Sequence, residues 1–486
     1  MKRFILLILL SQFCVNAFSQ AWLEKLPETK SKNQLTLYDY QKAFNDFWEP
    51  FNVDNKGYYI EKGERKKASG WKQFHRWEWN MEGQIDPKTG AFPQKTAQEI
   101  YTVYRNANPN KQGSKVANWT VVGPNSSDGG YAGVGRINCI AFHPSDNNTY
   151  WVGAPAGGLW LTTDNGSSWT CLTDNNDVLG VSDIIIPSNY STSNTIYIAT
   201  GDRDGWDNNS VGVLKSTDAG TNWSSTGISY SIEDGEMATR LLLDPNNDNT
   251  IIAATSNGVF KTTDGGSNWS TMLTSVSFID MEYKPGDFNT LYGSTSSGDI
   301  YVSTDGGSNW TQTYNNSSAR RIELAVTPAS SSVLYALAAN TSNGFYAFYK
   351  STDSGSNFTE QINSSAINLM GWNSNGGDSG GQGWYDLSMA ASPSDEDIVL
   401  VGGVNTWKTT DGGVNWSIAN HWWGDGVPAV HADKHQLKYR TNGDLFECND
   451  GGIYISTNDG TGWTDKTNGM IISQMYKLGV SQSVSG

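Results

Sequence analysis

The chain is short of cysteine, histidine and positive charge. It has four cysteines and five histidines among 486 residues. Cys14 lies in the leader described below, so Cys139, Cys171 and Cys448 remain, an odd number. A chain of this length buries enough surface to fold without covalent staples. Buried free thiols are therefore expected, with a Cys139–Cys171 bridge as the alternative. The spacings of a zinc site are absent. Lys and Arg total 33 against 49 Asp and Glu, a net charge of −16. Residues 20–117 hold 16 cations and 12 anions, whereas residues 118–486 hold 15 and 37. So acidic a body repels a phosphate backbone, which argues against a nucleic-acid partner. Beyond the leader no run of 18 apolar residues occurs, so no membrane-spanning helix is expected. A phosphate-binding glycine loop, a dinucleotide fingerprint and a nucleophile elbow are also missing.

Residues 1–19 read as an export leader: Lys2-Arg3, an apolar stretch over 4–10, then Ala17-Phe18-Ser19, with cleavage leaving Gln20. The mature protein is expected outside the cell or on its surface. Residues 20–117 read as helical. Thr36 caps a helix running to about Phe51, with Leu37, Tyr40, Phe44 and Trp48 on one face. Further helices are expected over 71–81 and about 95–105. Lys62 to Lys67 reads as a solvated basic stretch. The aromatic stripes are expected to dock this region onto the rest of the chain.

From residue 118 onward one motif dominates, Ser/Thr-x-Asp-x-Gly-x-x-Trp/Phe. It begins with Thr162-Thr-Asp164-Asn-Gly166-Ser-Ser-Trp169 and recurs at 216–223, 262–269, 303–310, 351–358, 409–416 and 456–463. Its third position is Asp164, Asp218, Asp264, Asp305, Asp353 and Asp411, with Asn458 in the seventh copy. Intervals of 41 to 58 residues fit an array of small four-stranded sheets. Each copy follows an apolar alternating run and precedes another short strand, so it occupies a hairpin turn. There Gly supplies positive φ, Asp accepts turn amides and the aromatic residue buries apolar area. These residues read as structural. Asn458 supports that, since an amide oxygen accepts hydrogen bonds but cannot act as a carboxylate.

The motif resembles the Asp-box, or BNR repeat, of β-propellers that include sialidases, xyloglucan-cleaving glycosidases, sortilin-type receptors and secreted Bacteroidota proteins. The segments 43–48 and 70–82 resemble the region preceding such propellers in secreted Bacteroidota proteins. The resemblance implies an all-β propeller of seven four-stranded blades and export through a type IX secretion machinery. In the implied strand order A to D, the motif lies on the C–D turn. Residues 118–123 and 472–480 read as pieces of a partial eighth blade. The long insertions at 201–211, 338–346, 364–383 and 419–430 then map to the face opposite the motif, where binding residues concentrate. A sialidase is disfavoured, because Arg136-Ile137 is followed by Asn138 and not proline.

Two clusters could carry chemistry. His431-Ala432-Asp433-Lys434-His435 resembles a His-x-Asp-x-His stretch of related propellers. On one strand its alternate residues share a face, but the two histidines lie about 13 Å apart. A metal would need one His with Asp433 plus Asp450 or His421. The second cluster is Trp206, Trp372, Trp384, Trp422 and Trp423 with Asp202, Asp204, Asp207, Asp378 and Asp425. Indoles beside carboxylates suit a sugar platform, and glycoside cleavage needs two carboxylates about 5–10 Å apart. The run from Asp202 to Asp207 also hints at a Ca²⁺ loop, without the spacing of an EF-hand. Two functions compete: a non-enzymatic surface propeller binding a protein or glycan, and a glycoside hydrolase acting on a polysaccharide. No cofactor is required by either, although calcium or another divalent ion is compatible.

Overall fold

The computed structural model describes residues 21–93, 95, 97–107, 121–232 and 234–475. The leader, its cleavage point and residues 118–120 and 476–480 lie outside the described residues. The chain divides into two compact units, 1–114 and 115–486.

In the first unit, helix α1 (Leu37–Trp48) starts at Thr36, whose hydroxyl accepts the Asp39 amide while Asp39 returns a bond to the Thr36 amide. This reciprocal cap satisfies two otherwise orphaned donors. Helix α2 (Trp71–Glu82) packs against α1, and helix α3 spans Ala97–Ala107. Phe44 stacks on Phe74 at 3.8 Å between centroids, and Trp22 meets both edge-on. The stripe residues Phe44 and Trp48 are thus buried within their own unit, together with Trp22, Ala68 and Phe74. The expected docking stripe is instead the unit's own core. The basic stretch is mostly exposed and lies on an antiparallel hairpin of Tyr58–Glu61 and Glu64–Lys67.

The second unit is a seven-bladed β-propeller. Each blade is a four-stranded antiparallel meander in sequence order. The first strands are Cys139–Phe142, Val181–Ile185, Ala238–Asp244, Phe278–Lys284, Ala319–Val326, Ser388–Ala391 and Lys434–Tyr439. First strands of neighbouring blades touch around the whole ring, so they line the axis. Blade three shows why the sequence reads as it does. Its second strand, Asn247–Thr255, is covered on both faces and carries the continuous apolar run Ile251 to Ala254. Its outermost strand, Ser270–Thr274, is half exposed and correspondingly polar.

The motif forms the turn between third and fourth strands. In the third copy the Thr262 hydroxyl donates to Asp264, Asp264 accepts the Asn268 amide at 2.9 Å, and Thr262 accepts the Gly266 amide. Gly266 sits at φ +89°, which a side chain would strain. Asn458 serves the seventh turn through the same oxygen position, accepting the Gly462 amide at 2.8 Å. The motif aromatics reach across blades: Trp223 donates to the Leu172 carbonyl and Trp169 to that of Lys466.

Blades seven and one meet directly. Val134 donates to Gly451, Ile137 to Asn449, and both blades share one apolar cluster that includes Ile140, Phe446 and Ile472. The expected eighth blade is therefore corrected. Residues 121–123 and 472–475 form no ladder, because Ile472 is packed into the seam. The expected long insertion at 338–346 is also shorter, because strands Leu334–Asn340 and Phe345–Ser351 extend into it and leave a four-residue turn. Cys139, Cys171 and Cys448 are free. Among the described residues no helix is long and apolar enough to cross a membrane.

Candidate functional site

Opposite the motif turns, three long loops gather: 201–211 in blade two, 364–387 entering blade six and 421–433 entering blade seven. Hydrogen bonds tie the last two together. His421 Nε2 lies 2.8 Å from the Trp372 carbonyl, and Asn405 donates to Gly371 and Trp372 while accepting the Trp422 amide at 3.0 Å. Ser374 donates to Asp425. The loops present Trp206, Trp372, Trp384, Trp422 and Trp423 at 38–55% exposure. Among the described residues of the propeller these are the exposed tryptophans. Three residues here hold positive φ without being glycine: Trp206 (+57°), Asp425 (+62°) and Asp433 (+63°). For a bulky residue such as Trp206 this backbone is costly, and it persists only where surroundings enforce it.

Beneath the loops lies a buried ionic network drawn from several blades. Asp204 is fully buried, accepting from Arg321 at 2.7 Å and from Arg203 at 3.3 Å, and faces His435 Nδ1 at 3.0 Å. His435 Nε2 lies 2.8 Å from Asp450, which also accepts from the Tyr385 hydroxyl at 2.9 Å. Arg136 donates to Tyr385 and pairs with Asp202. Burial alone would discharge His435, but Asp204 and Asp450 outweigh it and raise its pKa to about 9. Burial likewise opposes ionisation of Asp204 and Asp450, yet the arginines and His435 hold both below their usual range. Asp386 is the reverse case. Neither of its buried oxygens has a partner, and burial, then Asp433, push it well above the carboxylate range. Deeper on the axis, burial and then Asp280 raise Glu323 to about 7 and Glu282 to about 8.

The expected site residues separate into distinct roles. The five indoles share the long-loop face. Asp204 serves buried cations and has no surface. Asp378 braces its own loop through the Trp372 and Asn373 amides, and Asp425 clamps two loops together. Asp207 is exposed and lies against Asp202. The histidine cluster is not one strand. Its strand begins at Lys434, and the left-handed Asp433 breaks the extended run, so His431 and His435 do not alternate along one face. Among the described residues no group of three His, Cys, Asp or Glu is arranged to hold a metal. His435 commits both nitrogens to carboxylates instead. Sequence reading missed Arg136, Arg321, Tyr385, Asp386 and Lys434. Lys434 is fully buried, donates to the Val404 and His431 carbonyls, and is lowered in pKa by burial. The one sequence signal was Asp202-Arg203-Asp204, a dense charge run within an otherwise turn-rich loop.

No family model matches the chain. It is 28% identical to a xyloglucanase of Paenibacillus over 132 residues, covering 25% of this chain and 12% of that enzyme. Against a xyloglucanase of Hypocrea jecorina it is 29% identical over 135 residues, 24% of this chain and 15% of the enzyme. In structure it resembles the GH74 enzyme of Niastella koreensis, with TM-score 0.51, 19% identity, and coverage of 70% of this chain and 56% of that one. The chain thus spans well under a fifth of the curated relatives and about half of the solved enzyme, with which it shares the propeller fold.

Proposed function

We propose that this chain is an exported surface or extracellular propeller that binds a glycan on its long-loop face without cleaving it. The segregation onto one face of the five tryptophans exposed among the described propeller residues supports this most directly. An exposed indole costs solubility unless a ligand covers it, and sugar rings offer flat C–H surfaces to cover it. The local sequence similarity to xyloglucanases supports a carbohydrate rather than a protein ligand. The leader at 1–19 would deliver the chain through secretion machinery to the cell surface or medium. Native affinity gels cast with soluble polysaccharides test the reading. Retardation of the wild type, lost in Trp372→Ala/Trp423→Ala, is expected. Migration unchanged by every polysaccharide would overturn it.

The second reading, a glycoside hydrolase, is favoured by one pair. Asp433 is raised by burial and then by Asp450, whereas Asp450 is held low, chiefly by His435 against its own burial. Both are partly exposed at the mouth of the axis. Carboxyls pushed apart in this way suit a proton donor and an ionised partner. Release of reducing ends by the wild type, abolished in Asp433→Asn and in Asp450→Asn, would replace the binding reading with this one.

A further inference from the structure

We infer that the glycan taken by the long-loop face carries free amino groups, as a glucosamine polymer does. The inference rests on the glycan reading above. The loops 172–180, 201–211, 364–387 and 421–433 contain nine aspartates and a single Lys or Arg, Arg203. Arg203 is itself buried, donating to Asp204 and to the His435 carbonyl. The lysines are elsewhere. Lys215, Lys261 and Lys408 donate to carbonyls of neighbouring blades' motif turns, and Lys350 pairs with Asp397. Beneath the long loops Arg136, Arg203, Arg321 and His435 are likewise spent on Asp202, Asp204 and Asp450, which leaves the exposed Asp207 and Asp425 at the rim.

The carboxylates stand beside the indoles. Asp207 follows Trp206, and Asp425 lies two residues after Trp423; both acids are exposed. Arg136 is paired with the buried Asp202, and the neighbouring Asp207 carboxyl stands exposed beside that pair. Behind Asp207, Oδ2 of the buried Asp202 is an acceptor without a partner. An ammonium satisfies both features, since it donates to carboxylates and is attracted to the face of an indole. A uronic-acid polymer would be repelled, and a neutral glycan would leave the acidic rim uncompensated.

The test titrates the mature protein at mildly acidic pH and low salt with four probes: a glucosamine hexamer, its fully N-acetylated counterpart, a xyloglucan oligosaccharide and hexalysine. N-acetylation removes the charge and keeps the ring. The glucosamine hexamer should bind at least about tenfold tighter than the acetylated one, and weaken as salt screens the rim. Asp207→Asn should weaken it roughly threefold while leaving the weak neutral binding unchanged. Trp423→Ala should weaken every saccharide. Equal or tighter binding of the acetylated or xyloglucan probe overturns the amine inference and leaves the glycan reading standing. Binding of hexalysine with no saccharide bound overturns both.

Discussion

The two faces of the propeller are made from the same blades and differ in almost everything else. On the motif face seven turns repeat one hydrogen-bond pattern, and their aromatics are tucked against the preceding blade. On the other face the loops vary in length and expose their indoles. Repetition here marks what the fold needs, and departure from repetition marks where a ligand could be met.

Five experiments would break or sharpen that contrast. The largest effect should come from the scaffold. Trp151, fully buried between blades, replaced by Ala should cost about 3–5 kcal/mol, read as a large drop in melting temperature. Nearly as costly is His435→Ala, which removes the buried cation between Asp204 and Asp450; removing one partner of a buried pair costs about 3–5 kcal/mol. A conservative His435→Gln that restored full stability would show that the imidazolium charge is not needed.

The axis should also make stability depend on pH. His435 is raised to about 9 in the fold, so its contribution is complete below its ordinary value near 6.5 and disappears as pH climbs through 9. Glu323 and Glu282, raised to about 7 and 8, act in the same direction from their ordinary values upward. Melting temperature should therefore fall steadily from about pH 5 to pH 9. A flat profile would mean that the axial groups titrate as they do in water. On the ligand face the expectation inverts: Trp423→Ala should leave stability within about 0.5 kcal/mol and remove polysaccharide retardation. The smallest effect belongs to EDTA, which should leave the wild-type melt where it is, because His435 is held charged by two carboxylates. A fall on chelation would restore a metal to the site.

The repeat was legible because its residues are close in sequence and recur. The cap at Thr36 was legible for the same local reason. The axial network was not, because Asp204 and His435 are 231 residues apart and only ring closure brings them together. The strand reading of His431 to His435 failed on one residue, Asp433, whose left-handed backbone leaves no trace in an alternation pattern. The hairpin over 58–67 was hidden by its charge, since an exposed two-stranded ribbon has no apolar face to announce it. The indoles could be placed on the long-loop face from the loop lengths, but sequence could not say which neighbouring aspartates were spent inside the loops.

The seam between the last and first blades has a consequence for synthesis. A chain emerging from its N-terminus completes blade one more than 250 residues before blade seven exists. Until residues 446–472 arrive, Ile137, Ile140 and Val152 lack the partners that cover them in the finished ring. The earliest blade made is the latest to be sealed, so a nascent chain carries a sticky flank for most of its production.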